Sequence, residues 1–113
     1  LPTWLNEGLA IQLAGDSWPD LDEARHGELK VIPLTSLEGP WGAFSAEAST
    51  VAYLEANSSV HYMMERWGMA RVDDLVKAFQ AKASLANAFQ DKLLISYEQF
   101  HRQWLERFEQ ARS

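Results

Sequence analysis

The sequence predicts an all-α domain, a single bundle of about five helices. Three observations carry this. Apolar residues recur at three- and four-residue spacing in separate stretches. No stretch alternates convincingly with period two. Serines and glycines stand where the helical stretches should start and stop. With 113 residues, 47% of them hydrophobic, the chain can form one globular domain with a modest core.

The first helix is expected over residues 4–14, with Thr3 as its N-cap and Gly15 as its stop. Leu5, Leu9 and Leu13 form one stripe on it. Trp4, Ile11 and Ala14 lie on roughly the opposite side, with Glu7 among them. Apolar residues on both sides predict a helix enclosed between other elements. A carboxylate at Glu7 then needs a partner, either a metal ion or a donor such as arginine. Gly8 costs about 1 kcal/mol in mid-helix relative to alanine, so it predicts a close approach by another group.

Residues 15–44 are the least regular part, punctuated by Gly15, Pro19, Gly27, Pro33, Gly39, Pro40 and Gly42. A helical turn or two is expected near Asp20–Arg25, and Leu29–Leu34 as a short extended piece or packed loop. Asp16, Asp20 and Asp22 lack the glycine and terminal glutamate of an EF-hand loop.

Ser45 is expected to cap a long helix that Gly68 ends. One face carries Ser49, Tyr53, Ala56, Val60, Met63, Met64 and Trp67. The other carries Glu47, Leu54, Ser58, His61 and Glu65, and Asn57-Ser58-Ser59 is a candidate kink. A shorter helix follows over 70–82, through Val72, Leu75, Val76 and Phe79. Ser84 caps the next, which turns Leu85, Ala88, Phe89 and Leu93 inward. Ser96 and Gln99 form a capping-box pattern before a final helix striped by Tyr97, Phe100, Trp104, Phe108 and Ala111.

Charge and composition narrow the function classes. A net charge of −6 argues against nucleic acid as the main partner. No apolar run approaches the length of a membrane span. The absence of cysteine excludes disulfides and thiolate metal sites. No G-x-S-x-G elbow and no pair of histidines at i, i+4 is present. His26, His61 and His101 therefore stand as isolated side chains, with His61 and His101 near polar faces. Trp4, Trp67 and Trp104 read as core residues, and Trp18 and Trp41 as cleft candidates.

Trp4-Leu5-Asn6-Glu7-Gly8-Leu9-Ala10 resembles the third-ligand segment of the gluzincin metallopeptidases, the thermolysin and aminopeptidase N type. It is most similar to the small bacterial peptidase-MA-like domains often joined to tetratricopeptide repeats. Later landmarks fall in the order seen in that family. They are Tyr53, Trp67-Gly68, Leu75-Val76-Lys77-Ala78-Phe79, Ala88-Phe89 and Phe100-His101-Arg102-Gln103-Trp104. The resemblance covers nearly the whole chain and implies roles for three residues. Glu7 would be the third zinc ligand, Asn6 would support the ligand shell, and Tyr53 would donate to the oxyanion.

The chain departs from the family in one large respect: no H-E-x-x-H occurs in it, and only six residues precede Glu7. Residues 1–113 are therefore expected to be the C-terminal helical part of a larger zinc metallopeptidase domain. The intact parent would bind zinc and hydrolyse a peptide or protein substrate. This part alone would hold no zinc and show no activity, because the general base and two ligands are missing. Tetratricopeptide repeats, if the parent has them, would lie outside this sequence, which shows no internal repeat. The alternative is a non-catalytic helical scaffold or interaction module derived from the same fold. The first helix, left without a covering neighbour, is expected to promote self-association through Trp4, Ile11 or the Leu5/Leu9/Leu13 stripe.

Overall fold

A computed structural model describes residues 1–14 and 31–112. Among the described residues the chain is all-helical, with no strand. Five α-helices occur: α1 (Thr3–Ala14), α2 (Ala46–Trp67), α3 (Met69–Gln80), α4 (Leu85–Lys92) and α5 (Tyr97–Arg112). A short 3-10 helix, Leu34–Leu37, precedes α2. None of these helices is long and apolar enough to cross a membrane. The expectations for Asp16, Asp20, Asp22, Trp18, His26 and the turn near Asp20–Arg25 lie outside the described residues.

The helix ends follow local chemistry. Ser45 Oγ accepts from Ala48 N at 3.1 Å, and Ser84 Oγ accepts from Asn87 N at 3.2 Å. At Ser96 the capping box is reciprocal: Gln99 N donates to Ser96 Oγ and Ser96 N donates to Gln99 Oε1, both at 3.0 Å. Gly68, at φ 84°, ends α2 by donating its N–H to Met64 O at 2.9 Å. Its own carbonyl accepts from Val72 N at 3.2 Å, so α3 begins at the next residue. Only glycine takes this positive φ without strain.

Thr3 is not the cap of α1. It lies within the helix, and the Pro2 carbonyl accepts from both Leu5 N and Asn6 N at 3.1 Å. Thr3 N–H turns aside to Glu38 O at 3.0 Å, tying α1 to the segment after the 3-10 helix. Leu29–Leu34 was expected to be extended or loop. Its described part, residues 31–33, is a loop with Val31 and Ile32 packed on the core, and Leu34 opens the 3-10 helix, where Leu34 and Leu37 are both fully buried.

The core is aromatic. Trp4 is fully buried, and its ring stacks with Phe100 at 5.9 Å and Tyr97 at 6.2 Å and meets Phe89 at 6.3 Å. Its Nε1–H donates to Tyr97 Oη at 3.1 Å, and the Tyr97 hydroxyl donates to Glu38 Oε2 at 3.1 Å. Burial raises the Tyr97 phenol well above its ordinary range, so it stays protonated as that donor. Trp67 Nε1–H donates to Leu93 O at 3.0 Å, joining the end of α2 to the end of α4.

Two expectations about faces change. The polar face predicted for α2 is covered in part by α5: Leu54 is buried, and Trp104 Nε1–H donates to Ser58 Oγ at 3.1 Å. The candidate kink is absent from the helix assignment, which runs unbroken through Asn57-Ser58-Ser59. On α1, Trp4, Leu5, Leu9 and Ile11 all face inward, whereas Leu13 is 68% exposed. Of the residues named for self-association only Leu13 remains on the surface, with Ala10 and Ala14 beside it.

His101 also departs from its expected polar setting. Its ring stacks on Trp104 at 5.9 Å, and its Nε2 is buried without a hydrogen-bond partner among the described residues. Burial lowers its pKa. The unfolded chain therefore takes up this proton more readily than the folded one. Stability due to this group is complete above the ordinary histidine pKa and is lost as pH falls below it. His101→Gln should flatten the urea midpoint between about pH 7 and pH 5 relative to the unsubstituted chain. An unchanged slope would assign the acid sensitivity to other groups.

Candidate functional site

The crossing of α1 and α2 decides where the sequence-predicted site residues sit. Gly8 is buried at this crossing. A Cβ placed on it would overlap the Ala56 carbonyl oxygen and Val60 Cγ2, and would lie 3.0 Å from the Ala56 carbonyl carbon. The close approach expected from glycine in mid-helix is thus an approach of backbone to backbone. Gly8→Ala gains helix propensity of about 1 kcal/mol. The collision with a main-chain oxygen should outweigh this and leave a net loss of about 2 kcal/mol. An unchanged urea midpoint would show that the two helices separate at no cost.

Glu7 precedes Gly8 directly, and Tyr53 lies three residues before Ala56. The crossing thus brings together the two segments that carry them. Glu7 is half-buried and has no hydrogen bond or ion pair among the described residues. No described Arg or Lys therefore serves as the partner that a structural account of this carboxylate requires. Asn6 is exposed.

Tyr53 is half-buried, and the ring of Trp41 meets it edge-on at 5.0 Å and 80°. Trp41 is fixed by its Nε1–H to Leu37 O at 3.1 Å and by stacking on Phe44 at 6.3 Å. Farther along the same crossing, Gln12 Nε2 donates to Asn57 Oδ1. Among the described residues no three His, Cys, Asp or Glu side chains gather as a metal cluster.

One residue near this crossing escaped the sequence reading. Glu55 is fully buried on α2, and its Oε1 accepts from Ile32 N at 2.9 Å. It thereby anchors the start of the connection that later carries Trp41 to Tyr53. The available signal was spacing. Val51, Glu55, Ser59 and Tyr62 follow at helical intervals, and all four are buried.

A concavity lies between α2 and α5, with a volume of about 280 Å³. Its walls include Ser58, His61, Tyr62, Glu65, Trp104 and Arg107. Glu65 bridges two cations or donors: Oε1 lies 2.8 Å from His61 Nε2, and Oε2 lies 2.8 Å from Arg107 Nη2. His61 is exposed, as its sequence context predicted. No family model, curated protein or solved structure matches this chain.

Proposed function

We propose that this chain is the C-terminal helical part of a zinc-dependent, gluzincin-like metallopeptidase domain that hydrolyses peptide bonds. The observation that carries the reading is Glu7, a half-buried carboxylate without a partner among the described residues, one position from the α1–α2 crossing. A carboxylate in that setting fits a metal-ligand role, because a cation would offset the cost of its partial burial. The motif around it, Trp4 to Ala10, adds the family resemblance.

Zinc, when bound, supplies the Lewis acid that activates water and polarises the carbonyl. This chain's own residues divide the remaining work. Glu7 offers a ligand oxygen. Asn6, exposed at the preceding position, offers an amide to orient a neighbouring ligand. Tyr53 offers a phenol hydroxyl that would donate to the developing oxyanion. The general base and the other two ligands would have to come from an H-E-x-x-H segment outside residues 1–113.

The test compares two lengths of the protein. A chain extended upstream through an H-E-x-x-H helix should bind one zinc and cleave peptides, and a chelator should abolish that cleavage. The 113-residue chain with added zinc should show no turnover. Turnover by the short chain, or a degenerate motif upstream, would overturn the reading. The second outcome would leave a helical scaffold that keeps the shape without the chemistry.

A further inference from the structure

The connection from Ile32 to Ser45 is tied to α2 at both ends. At its start Ile32 N donates to Glu55 Oε1 at 2.9 Å, and at its finish Ser45 caps the helix by accepting from Ala48 N. Tyr53 lies on the same helix, between those two ties. Within the connection Leu34 and Leu37 are fully buried, and Glu38 O accepts from Thr3 N of α1 at 3.0 Å. A surface loop ordinarily has fewer such anchors and more freedom.

Trp41 is held inside this connection by its side chain and by its backbone. Its Nε1–H donates to Leu37 O at 3.1 Å, and its carbonyl accepts from Phe44 N at 3.0 Å. The Phe44 ring stacks on the indole at 6.3 Å. So fixed, the indole meets the Tyr53 ring at 5.0 Å and 80°, the edge-to-face geometry that aromatic pairs favour. The contact bears on where the Tyr53 hydroxyl sits. A tyrosine on a helix divides between two χ1 wells, and a change of well carries the phenol to a different side of its own helix. Rotation of the ring about its long axis leaves the oxygen in place, so χ1 is the angle that counts.

We propose that Trp41 is a positioning residue: its indole holds Tyr53 in the single χ1 rotamer that aims the hydroxyl at the developing oxyanion. The inference rests on the peptidase reading above, in which Tyr53 is the oxyanion donor, and adds a residue that acts through it. An oxyanion donor works only within about 2.7–3.1 Å of the developing charge, so a change of rotamer removes the contact altogether.

The experiment is a double-mutant cycle in a chain extended upstream through an H-E-x-x-H helix. Trp41→Leu removes the ring but keeps apolar bulk. It should lower kcat about tenfold at constant KM and zinc content, the signature of a misplaced group that acts in the transition state. Trp41→Phe keeps a ring against Tyr53 and should recover most of that loss. In a Tyr53→Phe background, Trp41→Leu should lower kcat by less than about twofold, because no hydroxyl is left to aim. A merely structural role would cost the same in both backgrounds. The second readout needs no activity: three-bond couplings to the Tyr53 β-protons in the 113-residue chain, measured by NMR. They should report one χ1 rotamer, and a mixture of two with Trp41→Leu. An unchanged kcat for Tyr53→Phe alone overturns the assignment of Tyr53, and the proposal falls with it. An equal loss for Trp41→Leu in both backgrounds, no loss in either, or a single Tyr53 rotamer in Trp41→Leu overturns the proposal and leaves the peptidase reading standing.

Discussion

In a chain that carries H-E-x-x-H upstream, Glu7→Gln is expected to release zinc. The loss in affinity should exceed the 10–100-fold typical of changing a group that only supports a ligand. Glutamine keeps the size and hydrogen-bonding reach of the side chain but removes its charge. Activity should fall with the metal. In the 113-residue chain the same change should leave the denaturation midpoint nearly unchanged, because Glu7 has no partner among the described residues. The rival account requires a buried charge pair, and breaking such a pair costs about 3–5 kcal/mol. Zinc content of the long chain and urea midpoint of the short one are the two measurements. Full zinc together with a large loss of stability would remove Glu7 from the site.

Tyr53→Phe in the same long chain should lower kcat by roughly 10²–10³, the usual loss for one oxyanion donor. Zinc content and fold should hold, because the aromatic ring that meets Trp41 at 5.0 Å remains in place. A fall in kcat at constant KM would mark a contact made only in the transition state. An unchanged kcat would leave Tyr53 as a packing residue of the α1–α2 crossing.

The helical skeleton was legible because its signals are local. The reciprocal bonds of Ser96 and Gln99 and the φ of 84° at Gly68 depend on residues within a few positions of each other. Thr3 misled because the helix begins one residue earlier than its hydroxyl suggests, with the Pro2 carbonyl accepting from Leu5 N and Asn6 N. Glu55 was missed and His101 misplaced for a related reason. Periodicity tells which residues share a face, but not how many neighbours cover it. Trp104 of α5 packs on the face of α2 that holds Ser58, and His101, one turn earlier on α5, stacks on the Trp104 ring.

At the candidate site, Glu7 and Tyr53 were named through family resemblance, and Gly8 through the physics of helix propensity. The aromatic contact of Trp41 with Tyr53 could not be read, because it joins a loop to a helix without any shared period. The internal satisfaction of Glu65 by His61 and Arg107 was equally hidden, since Arg107 lies on another helix.

The hydrogen bond from Trp4 to Tyr97 spans 93 positions, and this gives the molecule a calendar. During translation α1 leaves the ribosome first, yet the aromatic seat for its Trp4 is supplied by α4 and α5. At ordinary elongation speeds that interval is on the order of 5–20 s. Throughout it, Trp4 lacks its aromatic seat, and α1 has only its crossing with α2 to pack against. For the proposed peptidase this would mean that the aromatic seat beneath the segment bearing Glu7 is complete only after α5 has emerged.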